Sequence, residues 1–441
     1  MKSRTKIFLT LFLTYAFFTN TYLTTNDASR FSLTAAIVEE HSFKIDGFLE
    51  NVISEQWLPL DKAKFRGDTY SDKAPLGSFL GVPIYFILKY FNSDLEWTIY
   101  FVSLLTTGLL TALTAVLIYE TGRHFTVDEE VRIRVALAFG LGSIALVYGT
   151  AFFSHAITSF FGFASFFLLF QIRHRKLSLG YLMAAGVFAA LAISSDYYAG
   201  ILAIALVGYS VVTVGKKTYL FLIPFFAVII LLMTYHWAAF ESPLAVPYLY
   251  SNLFDNYHST GFYGMRIPDS EFISRLKSNL FSRWGFFFTT PLAALALIAF
   301  PKFKKRFKEE AAVFLAVAVG LIYVIGVLGF FDAYSTRHLV PLVPFLFMLL
   351  YTLDFKDSRI KTSFYILTAL SLIINFVGVD RFILDIDDSL IGATYGTHNL
   401  AGQFLMDQGI NVHFLSLLPL FVFYGFIWRH EILHWAKPVS S

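Results

Sequence analysis

Cysteine is absent from the 441 residues, which removes disulfides, thiolate metal sites and thiol nucleophiles together. Charge is scarce as well: Asp, Glu, Lys and Arg make up 15% of the chain, against about 25% in soluble domains. The net charge is +3, with the basic residues in short loops and no basic stripe, so nothing in the pattern calls for a nucleic acid. Internal repeats, low-complexity tracts and linkers are also lacking. The chain 1–441 therefore reads as a single domain.

What is present is apolar surface. Hydrophobic residues account for 56% of the sequence and gather into blocks such as 97–119, 218–239 and 311–331, each near the roughly 20 residues that span a bilayer. The first block, 7–23, follows Lys2, Arg4 and Lys6 but has no small-x-small exit, so it reads as an uncleaved first span rather than a signal peptide. The fold class expected is an all-α polytopic membrane protein of about 12 transmembrane helices.

Loop charge sets the orientation. Basic excess marks 120–134 (Arg123, Arg132, Arg134), 171–178 (Arg173, Arg175, Lys176), 214–218 (Lys216, Lys217), 301–310 (Lys302, Lys304, Lys305, Arg306, Lys308) and 354–361 (Lys356, Arg359, Lys361). These should face the cytoplasm. The alternating segments should face outward, including 380–411 with Asp380, Asp385, Asp387, Asp388 and Asp407. Orientation is consistent only if 75–91 does not cross. That stretch is short and interrupted by Pro75, Gly77, Gly81 and Pro83, as an interfacial or re-entrant segment would be. Both termini then lie in the cytoplasm, with a large first outer loop at 24–96, carrying interfacial helices, and a second at 240–283.

The expected span interiors hold no Asp, Glu, Lys or Arg; Glu120, Asp196 and Asp332 sit at their ends. An ion-coupled transporter needs ionisable groups near the midplane, so polar chemistry is expected at the outer surface instead. There Asp27 is open to two readings: the N-cap of a helix starting near Ala28, or a base held at the bilayer edge. Asp72 and Lys73 form either a solvated ion pair or a contact for a lipid phosphate. Arg337, in FDAYSTRHLVP, suits either a headgroup contact or interfacial snorkelling. Tyrosines in PYLYSNLFDNYHSTGFYG, in the second loop, can stack on sugars or anchor at the interface.

Three features together resemble the first outer loop of the GT-C superfamily of membrane glycosyltransferases, in particular the branch of protein O-mannosyltransferases and lipid A aminoarabinose transferases. An acid, Asp27, follows the first span; an R-x-x-L-x-x-x-I-V-E stretch follows (Arg30, Leu33, Ile37, Val38, Glu39); and Ser71 to Leu76 reads S-D-K-A-P-L, similar to the acid-Lys-Pro-Pro-Leu element. SRWGFFFTTPL at 282–292 and YSTRHLVPLVPFL at 334–346 also look like recurring elements of the superfamily. The resemblance implies transfer of a sugar from a polyprenyl-phosphate donor to a protein, glycolipid or polysaccharide acceptor, with inversion, on the outer face of the plasma membrane. It implies Asp27 as catalytic base and Lys73, with Asp72 beside it, at the donor site; by position and charge Arg337 and Arg30 join Lys73 as candidate donor-phosphate contacts, with His338 in support. Alternatives are a transporter or flippase of a lipid-linked saccharide and a catalytically inactive binding protein. Asn26 precedes Asp27, so there is no Asp-x-Asp pair; no cofactor is assigned, and a divalent metal remains possible through the resemblance alone.

Two histidine patterns remain. His155, His258 and His338 show no metal-site spacing, and no metal is assigned to them. HEILH at 430–434 matches the zinc-protease pattern, His430 and His434 as ligands and Glu431 as base. It follows the last span in a short tail with nothing to enclose it, so an exposed helix end is expected.

Overall fold

The computed structural model describes residues 1–19, 21, 23–48, 61–175, 178–251, 266–328, 334–379, 408 and 416–435. Lys176, His258, Asp332 and all five aspartates of the 380–411 segment lie outside them. Among the described residues, five helices are by length and composition apolar enough to cross a membrane: Leu95–Gly122, Ser154–Arg175, Tyr197–Phe240, Lys308–Leu328 and Ser358–Val379. A bent pair, Phe272–Thr289 with Ala293–Arg306 at 89°, makes a sixth if counted as one span. This measure does not reach the twelve crossings expected.

Tyr197–Phe240 is too long for one crossing, since its 44 residues amount to about 66 Å of helix, roughly twice the apolar thickness of a bilayer. The chain turns at Gly215, whose φ of +58° a side chain would resist. Lys216 and Lys217 sit exposed in the 3-10 turn Gly215–Thr218. Shorter apolar helices are Leu76–Tyr90, Gly180–Ser195, Arg337–Leu350 and Leu418–Ile427.

The basic segments collect at one end. Arg173 pairs with Glu309 at 2.8 Å and His174 with Glu310 at 2.7 Å, while Arg306 donates to the His124 carbonyl at 3.3 Å. Tyr351 reaches the Arg132 carbonyl at 3.3 Å, and Ser3 bonds Glu129 at 2.8 Å. The 301–310 stretch is not an open loop: Ala293–Arg306 and Lys308–Leu328 meet with only Phe307 between them. Glu431 is exposed on the helix Arg429–Trp435 and pairs with Lys6, so the would-be protease base is already engaged by a cation; the His434 side chain lies outside the described residues.

The first outer loop departs from the expectation in three ways. After α1 (Ser3–Phe18), α2 (Thr25–Glu39) is not laid on a surface: every residue from Asn26 to Ala36 is buried. A two-stranded antiparallel hairpin follows, β1 (Lys62–Phe65) and β2 (Asp68–Ser71), where an all-α chain was expected. Its turn, Arg66-Gly67, holds both residues at positive φ, +52° and +94°, as tight hairpins require. Third, the 75–91 segment is not broken. Leu76–Tyr90 is one helix, α3, that carries Pro83 inside it, and at about 22 Å it is shorter than the apolar core of a bilayer. Thr34 donates to the Ser78 carbonyl at 3.1 Å and Ser78 to the Arg30 carbonyl at 2.9 Å, fastening α3 along α2.

Candidate functional site

Helix α2 begins at Thr25 with Thr24 as its N-cap, which corrects the expectation that Asp27 caps a helix from Ala28. Asp27 lies in the first turn, where a carboxylate suits the helix dipole, and its Oδ1 accepts from the Thr24 hydroxyl at 2.9 Å. Its surroundings set its chemistry. Only 1% of the residue is exposed, and burial pushes its pKa up to about 7 against the pull of Thr24, Arg30 and Arg337.

One helical turn on, Arg30 shares that face. Its guanidinium bonds the Asn26 carbonyl at 3.3 Å and side chain, and donates to Ser154 Oγ at 2.9 Å. Arg30 and Arg337 come from distant parts of the chain, yet both stand against the ring of Phe153, at 5.9 and 5.8 Å. Arg337 opens the turn Arg337–Leu342. Two guanidiniums drawn to one buried ring beside a carboxyl group have the charge and donors that an anion would need in water-poor surroundings.

Lys73 is placed by the hairpin, because β2 ends at Ser71 and the chain passes directly into Asp72 and Lys73. The Asp72–Lys73 pair is not solvated, as one sequence reading had it. Asp72 is fully buried and Lys73 nearly so. Lys73 Nζ lies 3.2 Å from Asp61 and 3.1 Å from Asp72, and Ser251 donates to the other Asp72 oxygen at 3.2 Å. Burial raises the Asp72 pKa, with Asp61 adding to it against Lys73. Asp61 moves the other way: burial pushes it up, but Lys73, Arg337 and Asn26 together hold it below the usual range. Lys73 favours the ionised form of both acids, and it is burial together with the repulsion from Asp61 that holds Asp72 back.

Beyond Arg30 the cluster continues into groups that sequence spacing did not single out. His155 Nδ1 lies 3.2 Å from Asp196 Oδ2, and the His155 and His338 rings meet edge-on at 4.7 Å. The donor atoms of His155, Asp196 and His338 all lie within 4.8 Å of one another, and all three residues are buried. Among the described residues, this is the group spaced closely enough to hold a metal ion. Tyr248, in the turn Pro247–Tyr250 of the second outer loop, packs against Tyr197 at 5.4 Å and Tyr198 at 6.1 Å. Burial lifts its hydroxyl well above the ordinary phenol range, so it stays a neutral hydrogen-bonding group.

All six site residues named from the sequence thus lie within this polar cluster or against its aromatic wall; Asp61 and Ser251 join it unforeseen, while His155, Asp196 and Tyr248, noted in the sequence, had no place in the expected site. Asp196 ends the helix Gly180–Ser195 and caps the next turn at the Tyr198 amide, 3.1 Å; an acid closing an apolar helix is the one local sign that could have marked it. The cluster also has a definite level in the molecule. Ser154 touches Arg30 at one end of Ser154–Arg175, and Arg173 meets Glu309 at the other. That helix is about 33 Å long, the thickness of a bilayer core, so the site and the basic end are separated by one membrane's width.

A scan against protein-family models finds no match, and neither does a search of curated proteins. Among solved structures the chain is similar to the archaeal oligosaccharyltransferase AglB from Archaeoglobus fulgidus, solved in complex with an inhibitory peptide and a dolichol-phosphate, at a TM-score of 0.46 and 12% sequence identity. The likeness covers 90% of this chain and 56% of that one, so the chain spans little more than half of that structure's length.

Proposed function

We propose that the protein is a membrane glycosyltransferase that moves a sugar from a polyprenyl-phosphate donor to a hydroxyl-bearing acceptor on the outer face of the plasma membrane, with inversion. The observation that carries this reading is a buried carboxyl group, Asp27, tuned to about 7, beside two guanidiniums, Arg30 and Arg337, that converge on Phe153. A general base works best when its pKa lies near the operating pH. Paired guanidiniums out of bulk water stabilise the charge that develops on a phosphate leaving group.

In the step proposed, the acceptor oxygen attacks the anomeric carbon and the bond from that carbon to the phosphate oxygen breaks. The electron pair leaves with the polyprenyl phosphate, against Arg30 and Arg337. The acceptor proton passes to the Asp27 carboxylate. Lys73, already paired with Asp61 and Asp72, reaches the phosphate only by exchanging one carboxylate for it; its first role is to make that acid pair tolerable in the interior. His338, next to Arg337 in the chain, packs against His155 and Tyr198.

The test uses purified protein in lipid vesicles with a polyprenyl-phosphate donor carrying a labelled sugar. Release of polyprenyl phosphate together with labelled acceptor is expected. Labelled donor that crosses the bilayer intact, with its sugar bond unbroken, would replace transfer with flipping.

A further inference from the structure

We propose that His155, Asp196 and His338 form a binding site for a divalent transition-metal ion of the zinc class. Two imidazoles and one carboxylate are a recurring ligand set for such ions. A tetrahedral ion with bonds of about 2.0–2.1 Å holds its ligand atoms roughly 3.4 Å apart. The 3.2 Å between His155 Nδ1 and Asp196 Oδ2 already matches that edge, and the 4.8 Å limit on the whole set leaves only a small closure for His338.

A second observation points to a missing partner. His155 Nδ1, although 3.2 Å from the Asp196 oxygen, is buried without a hydrogen bond in proper geometry. Two donor atoms at that spacing fit two ligands of one ion as well as they fit a histidine–carboxylate pair. Buried polar atoms of this kind are uncommon and call for an occupant. A small, largely apolar cavity touches Asp196 and His338 but not His155; the hydroxyl of Tyr198, which borders it, is buried with no hydrogen-bond partner.

The remaining ligand atoms are held in place. Asp196 Oδ1 accepts from the Tyr198 amide at 3.1 Å, leaving Oδ2 for the ion, and the His338 ring is flanked by His155 and Tyr198. Arg30 and Arg337, which share Phe153 with His155, add positive charge nearby. They therefore favour an anionic oxygen, rather than a neutral group, as the ligand that completes the coordination. The site stands apart from the reading of glycosyl transfer, since metal content is measured without any donor or acceptor.

The experiment is metal analysis of the full chain, purified, stripped with a chelator and re-equilibrated with zinc alone. One tightly held equivalent is expected, with affinity reduced about 100-fold or more in His338→Gln and in Asp196→Asn, at least the effect seen when only outer-shell partners of a metal are changed. The chain has no cysteine, so the competing motif in the sequence is HEILH in the tail, and His430→Ala should leave the zinc in place. Zinc lost in His430→Ala but retained in His338→Gln would overturn the proposal, as would a wild-type protein that keeps none. X-ray absorption at the zinc edge of the wild type serves where a variant fails to fold: light ligands including two imidazoles are expected, and a shell of oxygen alone would refute it.

Discussion

Asp27 joins two properties that are separable by substitution, proton acceptance and the ordering of the first turn of α2. Asp27→Asn keeps size and hydrogen bonding but accepts no proton at neutral pH, so transfer should fall roughly 100-fold or more with donor binding intact; near-normal turnover would remove Asp27 from the mechanism. The same residue makes a thermodynamic prediction. The native state holds the Asp27 proton up to about pH 7, while an unfolded chain releases it near the ordinary Asp value. The native state therefore binds more protons in between, and its stability falls as pH rises through that window. Asp27→Asn should lack this loss, gaining on the wild type by up to about 4 kcal/mol between about pH 4 and pH 8, measurable as diverging melting curves. Lys73 carries a different expectation. Lys73→Ala strands Asp61 and Asp72 in the interior, and breaking a buried ion pair costs about 3–5 kcal/mol, so lost stability should exceed any change in donor affinity; an unchanged melting temperature would speak against the pairing.

At the scale of elements, helix contact here depends on small residues that let backbones approach closely, as is common between membrane helices. Gly186 is the clearest case. A Cβ there would meet the Phe221 carbonyl of the neighbouring helix, and backbone cannot swing aside as a side chain can. Gly186→Ala should destabilise the fold by roughly 1–3 kcal/mol, whereas Gly208→Ala, in open space on Gly200–Val214, should be neutral or mildly stabilising. Equal melting temperatures for the two variants would contradict the close packing. The hairpin shows what periodicity conceals. Strands of four residues, KAKF and DTYS, are too short for alternation to register, and only the Arg66-Gly67 turn announces them.

For the whole molecule, the decisive length is the one between Arg173 and Ser154. If the basic end faces the cytoplasm, the Asp27 cluster faces outward, and single cysteines introduced beside Asp68 and Asp94 should both label from outside, against a background free of native cysteine. Opposite labelling of the two would make α3 a crossing and invert the arrangement. The tail makes the complementary prediction: Glu431→Ala loses a contact with Lys6 and should leave transfer unchanged, and loss of transfer would tie the tail to the chemistry.

The sequence by itself determined the membrane character and the grouping of basic segments, and it brought Asp27, Arg30, Asp72 and Lys73 forward as candidates. These follow from composition and from short stretches, which a linear reading captures because the groups are near neighbours in the chain. The tertiary structure alone decided that Lys73 is shared between Asp61 and Asp72, that Arg30 and Arg337 meet at one ring, and that His155 and His338 stand edge to edge beside Asp196. No local pattern encodes such meetings, because each arises where apolar helices remote in sequence pack and exclude water. In that setting a polar group persists only with a partner, and burial, which no stretch of residues displays, gives Asp27 its proton affinity.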